Sequence, residues 1–187
     1  KTTLLQTLFS LIKPESGDLF WCNQPLHRRH VGYLETDPFF YSGITAREHL
    51  SLFGKTAFDD DAWAGLLQLL LDDLVEHFST GMRKKLALLT LIKTEKPLLL
   101  LDEPFNGLDL ESQYLLRDIL LRLKKQGKTM LVTSHILESL TPVCDAIHFL
   151  AEGKVQQTVL PKEFQAFSKW LHEDMEERHR EGLDRVF

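Results

Sequence analysis

Apolar positions along this chain fall into short continuous runs separated by longer stretches with helical spacing. The clearest run is Leu98–Leu101, four consecutive leucines that two acids and a proline follow. An apolar run without alternation is typical of a strand buried on both faces of a parallel sheet. Shorter runs at Val31–Leu34 and Thr129–Thr133 predict two more strands, the second also buried. The pattern therefore predicts an α/β fold, a mostly parallel sheet flanked by helices.

Capping residues and helical spacing predict the helices between these strands. Thr45 and Glu48 match a capping box, which predicts a helix to about Phe53. Ser79 is a favourable N-cap for a helix that continues to about Lys93. Other helices are predicted to begin near Lys1, at Asp59–Asp61 and at about Leu110, the last ending near Lys125. The apolar residues expected to face the core are Leu4, Leu5, Leu8 and Ile12 near the start, and Trp63, Leu66, Leu67, Leu70, Leu71 and Leu74.

Shorter elements complete the pattern. Gly17–Leu26 predicts two short strand pieces around a polar turn at Asn23 and Gln24. The end of the chain predicts a helix at Ile136–Leu140, strands at Cys144–Leu150 and Val155–Val159, and a charged helical tail over residues 161–187.

Two adjacent acids, Asp102 and Glu103, follow the leucine strand directly. Ligands in open parallel sheets bind at the carboxyl ends of the strands, so these acids should lie at the binding edge. One can hold a hard cation and the next can take a proton from water, a pairing that suits metal-assisted phosphoryl chemistry. Alternatively, the acids merely end a core strand. His135 follows the Thr129–Thr133 strand and should lie at the same edge.

Composition narrows the class of protein. The 187 residues are 43% hydrophobic and 26% charged, enough for one well-cored domain. The net charge of −5 gives no basic footprint, so no nucleic-acid partner is expected. Two distant cysteines, Cys22 and Cys144, suggest a reduced, cytosolic protein. No apolar run is long enough to span a bilayer. Because the chain opens at Lys1 in mid-pattern, we expect the natural protein to begin earlier.

Four segments in one order carry a resemblance to a known family: KTT opening a helix at Lys1, STGMRKK at Ser79, LLLLDEPFNGLD at Leu98, and TSH at Thr133. This order and spacing resembles the ATP-binding subunit of an ABC transporter, with the export type as the nearer analogue. The resemblance implies a P-loop NTPase fold with an inserted α-helical subdomain. Residues 1–160 would form the ATP-binding domain, residues 39–93 approximately the helical subdomain, and residues 161–187 the tail.

The resemblance also implies roles for individual residues, with ATP as the substrate and Mg²⁺ as the metal. Glu103 would act as general base and His135 would contact the γ-phosphate. Asp102 would hold Mg²⁺. The other implied contacts are Lys1 and Thr3 with phosphate, Thr2 with phosphate and Mg²⁺, Ser79 and Gly81 with the ATP of a second subunit, and Asp109 at the subunit interface.

Partners follow from the same resemblance. Two ATP-binding subunits, identical or different, would clamp two ATPs head to tail. A separate transmembrane permease subunit would contact Phe39–Tyr41. The protein would therefore be cytoplasmic and peripheral on the inner face of the cell membrane.

The sequence departs from the family pattern at three places. The glycine-rich loop that should precede Lys1 is not in this chain. Thr36 stands where a glutamine usually contacts the metal, and threonine reaches less far. Phe78 and Thr80 replace the usual leucine and glycine of the signature.

These departures leave two alternatives to a transport ATPase. One is a degenerate or truncated subunit that dimerises or docks without hydrolysis, which Thr36 favours. The other is a soluble ABC-type ATPase acting away from transport, although the long insertions or basic arms typical of that class are not seen here.

Overall fold

The computed structural model describes residues 1–54 and 57–184. Residues 55 and 56 of the predicted helical subdomain and residues 185–187 of the predicted tail lie outside this range. The chain forms two compact units, one of Lys1–His135 and a second that begins at Ile136. The domain division predicted after residue 160 falls inside the second unit.

The first unit alternates strands and helices in the predicted order. Its elements are α1 (Thr2–Leu8), β1 (Phe20–Trp21), β2 (Gln24–Pro25), β3 (Val31–Leu34), α2 (Ala46–Ser51), α3 (Asp60–Leu67), α4 (Thr80–Lys93), β4 (Leu98–Asp102), α5 (Leu110–Lys125) and β5 (Thr129–Thr133). β1 and β2 form an antiparallel hairpin. β3, β4 and β5 form a parallel sheet in that order, with Val31 paired to Leu98 and Leu98 to Thr129.

The leucine run of β4 is buried because both faces of the sheet are covered. Leu98 and Leu100 point to the face where Leu5 of α1 packs. Leu99 and Leu101 point to the opposite face, in a larger core with residues of α4 and α5. Successive side chains of a strand point to opposite faces, so two covered faces require an unbroken apolar run. The prediction from the sequence is confirmed for this strand.

β5 corrects the expectation of a second fully buried strand. Thr129 is exposed and the other four residues are half-buried. β5 is the outer strand of the three-stranded sheet, with β4 as its neighbour among the described residues. Its shorter, more polar run fits this position.

Two predicted helices end earlier than their apolar spacing suggested. α1 ends at Leu8, and Leu4 and Ile12 are exposed. α3 ends at Leu67, where Gln68 takes a left-handed conformation with φ of +57°. Leu66, within α3, is 50% exposed, and Leu70, beyond the break, is 66% exposed, although both were predicted to be core.

The region between β3 and β4 is helical, and its helices begin at capped ends. Thr45 and Glu48 form the predicted capping box at α2. Asp59 caps α3 by accepting a hydrogen bond from the backbone N–H of Ala62 at 2.9 Å. Deeper in the region, the Lys93 ammonium of α4 bonds both carboxylate oxygens of Asp60, at 2.7 and 2.9 Å.

The second unit contains α6 (Leu137–Leu140), β6 (Ile147–Ala151), β7 (Lys154–Val159) and α7 (Phe164–Asp184). β6 and β7 are antiparallel, with an irregularity between Phe149 and Leu150. Phe149 contacts the rings of Phe167 and Trp170. The hairpin and the start of α7 therefore share an aromatic core. None of the helices in the described part of the chain is both long and apolar enough to cross a bilayer.

Candidate active site

The predicted acids Asp102 and Glu103, at the carboxyl end of β4, lie next to the carboxyl end of the neighbouring strand β5. Asp102 is the last residue of β4 and is 1% exposed. Its Oδ1 accepts a 2.5 Å hydrogen bond from the Thr133 hydroxyl at the end of β5. Its Oδ2 is buried without a hydrogen-bond partner among the described residues. A buried carboxylate oxygen with unused lone pairs is what a bound cation or its water requires.

Glu103 leaves the strand in an unusual backbone conformation. Its φ is +50°, in the left-handed region that residues with a Cβ rarely adopt. Its backbone N–H donates to the Thr133 hydroxyl at 3.1 Å. Its side-chain Oε2 accepts from the backbone N–H of His135 at 3.1 Å. Both hydrogen bonds tie the glutamate to the end of β5, which fixes its carboxylate at the edge of the sheet.

Lys1 and His135 complete a cluster around this carboxylate. The Lys1 ammonium lies 3.0 Å from Glu103 Oε1, donates to the Ser134 carbonyl at 2.8 Å and lies 3.2 Å from His135 Nδ1. His135 Nε2 lies 3.1 Å from Glu103 Oε1, and its side chain is 78% exposed. The structure thus brings together three residues that are far apart in sequence and were predicted to share one site.

The negative charge of this edge also affects Tyr33 on β3. Burial, the Asp102 carboxylate and the Glu35 carboxylate raise the pKa of the Tyr33 hydroxyl to about 12. A site with this field favours cations and positively charged side chains.

The remaining residues predicted for this site belong to α1 and to the segment after β3. Thr2 and Thr3 form the exposed start of α1, and Thr36 is half-buried two residues after β3. Their contacts with phosphate or metal stay predictions.

A second group of predicted residues surrounds the start of α4. Ser79 caps the helix by accepting from the backbone N–H of Met82 at 3.2 Å. A Cβ at Gly81 would lie 3.4 Å from the Gly107 carbonyl oxygen, so the helix start packs closely on the turn after β4. Asp109 caps α5 through the backbone N–H of Ser112 at 2.8 Å, and hydrogen bonding to Ser112 lowers the pKa of its carboxyl group.

Sequence reasoning missed Lys84, one turn into α4. The residue is 5% exposed. Its ammonium donates to the carbonyl of Glu103 at 3.0 Å and to that of Asn106 at 2.8 Å. Burial lowers its pKa, and the charges of Asp37, Glu103 and Asp102 oppose that shift. A signal was present, because Lys84 precedes the buried Leu88 by four residues and therefore lies on the apolar face of the helix.

Comparison with known proteins bears directly on this arrangement. A family model described as "ABC transporter" matches residues 1–106, which include Lys1, Ser79, Asp102 and Glu103. The chain belongs to the ABC transporter ATP-binding family. The resemblance inferred from the four segments is confirmed.

Relatives of this ABC ATP-binding chain include two bacterial proteins. An uncharacterised ABC transporter ATP-binding protein of Nostoc sp. (strain PCC 7120) is 33% identical over 171 residues, which are 83% of this chain and 51% of the relative. The Nod factor export ATP-binding protein I of Burkholderia lata is 31% identical over 170 residues, 82% of this chain and 56% of the relative. The chain thus spans about half the length of these relatives.

Solved structures show the fold. An ATP-binding subunit of an ABC transporter superposes with a TM-score of 0.80 at 26% identity, covering 90% of this chain and 77% of the other. A dimeric ATP-binding cassette in a post-hydrolysis state, bound to ADP and Pi, gives a TM-score of 0.71 at 19% identity, covering 86% and 80%. The predicted P-loop NTPase fold, with its mostly parallel sheet, is therefore confirmed for this ABC chain.

Proposed function

We propose that this chain binds and hydrolyses ATP and that the hydrolysis powers transport, in the export direction, through a separate transmembrane subunit. The observation that carries the proposal is the Glu103 carboxylate, held at the carboxyl edge of β4 between Lys1 and His135. The family supports the ATPase, and the relative named for Nod factor export supports the direction.

The Asp102 carboxylate and the predicted ligands Thr2 and Thr36 carry oxygen donors that suit a magnesium ion. Asp102 Oδ2 would supply the carboxylate oxygen, and the hydroxyls of Thr2 and Thr36 would supply neutral oxygens of the kind that Mg²⁺ accepts. Bound Mg²⁺ would neutralise the negative charge of the phosphates. Threonine is shorter than glutamine, so we expect Thr36 to contribute less to a bound metal than a glutamine would.

Glu103 is the group placed to receive a proton from an attacking water. Two hydrogen bonds hold its backbone and its Oε2, while Oε1 is shared with Lys1 and His135. The Glu103 side chain is 11% exposed, which limits competing water. General-base catalysis of this kind contributes about 10²–10⁴-fold to a rate.

Lys1 and His135 supply the positive charge and the hydrogen bonding for the γ-phosphate. The Lys1 ammonium has acceptors on Glu103, Ser134 and His135 within 3.2 Å. A phosphate oxygen would replace Glu103 as an acceptor of the Lys1 ammonium. Lys1 would then move away from Glu103, and that carboxylate would be available to water. The partners of Lys1 should therefore differ between the nucleotide-free site and the nucleotide-bound site.

Ser79, Gly81 and Asp109 serve a second subunit in this proposal. They lie at the starts of α4 and α5, where backbone N–H groups and the helix dipole favour a phosphate. Two subunits, identical or different, would clamp two ATPs head to tail. The dimeric, ADP-bound structural neighbour has the same fold.

The transmembrane partner would meet an exposed aromatic pair. Phe39 and Tyr41 are 73% and 58% exposed, and the centroids of their rings lie 5.3 Å apart. Leu66 and Leu70, in the same helical region, add exposed apolar surface. A protein bound there would hold the chain at the cytoplasmic face of a membrane.

The alternative function is a subunit that binds its partners without hydrolysis. Thr36 at the metal-contacting position is the observation that favours it. The arrangement of Glu103 and His135 favours the ATPase.

Light scattering of the native full-length protein separates these functions. The Glu103→Gln variant should be monomeric alone and dimeric with Mg-ATP, because the clamp then closes without turnover. Glu15→Gln, at an exposed site, is the matched control and should dimerise only transiently while ATP lasts. A Glu103→Gln protein that binds no ATP and stays monomeric would contradict the proposal.

A further inference from the structure

Lys84 is the one buried cation that reaches the backbone of the proposed general base among the residues that the structure describes. Its ammonium is 5% exposed and spans two carbonyls, those of Glu103 and Asn106. An ammonium in such a position is costly to desolvate and needs charge-assisted hydrogen bonds to remain there. Placement of Lys84 is therefore a strong constraint on the segment it binds.

That segment holds a backbone conformation that needs support. Glu103 has φ of +50°, and the chain turns again at Gly107 with φ of +76°. Lys84 donates to the carbonyl of Glu103 itself and to the carbonyl of Asn106, the residue before Gly107. It therefore fixes both ends of the turn that carries Glu103 away from the sheet.

The helix that carries Lys84 begins at the residues proposed to touch the second ATP. Ser79 and Gly81 lie one turn before Lys84. Gly81 also packs against the Gly107 carbonyl. The first two turns of α4 and the turn after β4 are thus joined at two points, one a close backbone approach and the other a buried ammonium.

We propose that Lys84 is a positioning residue that couples the two ATP sites of the dimer: it joins the α4 end that contacts the partner's ATP to the backbone of Glu103 in the chain's own site. This inference rests on the proposed ATPase function. When ATP of the opposite site binds at Ser79 and Gly81, α4 and the Glu103 turn shift together, and Glu103 reaches its working position.

The first test compares two buried lysines of one helix by substitution with methionine, which keeps most of the length and removes the charge. Lys84→Met should lower kcat about 10- to 100-fold, as expected for loss of charge-assisted hydrogen bonds, with KM for ATP changed less than about twofold. Lys93 lies at the far end of α4 and is also 5% exposed. Lys93→Met removes its ammonium and should leave kcat per folded molecule unchanged.

Conservative replacement gives a second readout. Lys84→Arg keeps the charge and donors and should recover at least part of kcat, and Lys84→Gln keeps a neutral donor and should be intermediate. If Lys84→Met does not fold, Lys84→Gln takes its place against Lys93→Gln. Wild-type kcat in the Lys84 variants, or equal losses in the Lys84 and Lys93 variants, would overturn the positioning role.

A double-mutant cycle tests the coupling itself. The double variant should lose kcat by a smaller factor than the product of the factors for Ser79→Ala and Lys84→Met alone. The reason is that both substitutions interrupt the same connection. Effects that multiply would overturn the coupling. If the wild-type protein hydrolyses no ATP, the proposed function fails first, and the two failures are therefore distinct.

Discussion

The two ends of α4 each bury a lysine, and the two lysines have different partners. Lys84 and Lys93 are both 5% exposed. Lys84 bonds backbone carbonyls of the segment that carries Glu103. Lys93 bonds both carboxylate oxygens of Asp60 on α3.

The difference separates two uses of buried charge. A carboxylate partner compensates the ammonium and joins two helices, which serves the packing of the helical region. Carbonyl partners cannot neutralise the charge, but they are parts of the backbone, so the lysine fixes the course of the chain itself. One end of α4 is therefore bonded to a neighbouring helix, and the other end is bonded to the backbone of the segment that carries Glu103.

Substitution of Glu103, whose backbone Lys84 binds, should have the strongest consequence. Glu103→Gln should reduce ATP turnover by about 10²–10⁴-fold, the range expected for loss of a general base, with nucleotide binding kept. Phosphate release under saturating Mg-ATP measures the loss, with Glu15→Gln as the control. A turnover within a few fold of wild type would exclude Glu103 as the base.

Substitution of Asp60, the partner of Lys93, should affect stability. Asp60→Ala leaves Lys93 buried without its carboxylate and should lower the free energy of unfolding by about 3 kcal/mol. Asp61→Ala, next in sequence, removes an exposed ion pair with Arg47 and should cost less than about 1 kcal/mol. Urea denaturation of both variants checks the difference, and equal losses would show that Lys93 finds another partner.

A smaller effect distinguishes capping from ligand binding at the start of α4. Ser79→Ala should destabilise the fold by about 1 kcal/mol, and Ser79→Gly by a few tenths, because glycine is tolerated at an N-cap. Both variants lack the hydroxyl, so both should weaken ATP-dependent dimerisation in the Glu103→Gln background. Normal dimerisation of the glycine variant would show that Ser79 acts as an N-cap and does not bind ATP.

The smallest effect concerns the last turn of α4, where His49 Nε2 lies 3.2 Å from the Thr90 hydroxyl. Burial between the rings of Phe40 and Phe53 lowers the pKa of His49 below its usual 6.5. The unfolded chain therefore binds more protons between the folded pKa and 6.5, and stability should fall as the pH drops through that window.

Substitution checks this origin of the pH dependence. His49→Gln should flatten the pH dependence of the free energy of unfolding, whereas His27→Gln, at an exposed site, should leave it unchanged. A wild-type slope that persists in His49→Gln would assign the effect to another group.

Much of the fold was predictable because local signals agreed with the tertiary structure. The leucine run identified β4, the Thr45–Glu48 box identified the start of α2, and the strand ends placed Asp102, Glu103 and His135 at one edge. Each of these signals lies within a few residues of the feature it predicts.

The errors came from features that depend on distant contacts. The exposed Leu70 lies beyond the left-handed Gln68, a break that the apolar spacing does not reveal. Burial of Lys84 and Lys93 depends on acceptors that the fold supplies from other segments. A lysine on a helix is usually exposed, so the place of Lys84 on the apolar face of α4 is only a weak signal of its burial.

The left-handed backbone of Glu103 has a consequence for the evolution of this chain. A glutamate with φ of +50° is held against its own preference, at a cost of roughly 1 kcal/mol or more. Glycine at this position would relieve the strain and abolish the proposed base. Directed evolution for thermal resistance alone should therefore drift toward inactive proteins at position 103, and a screen that also demands turnover should retain the strained glutamate.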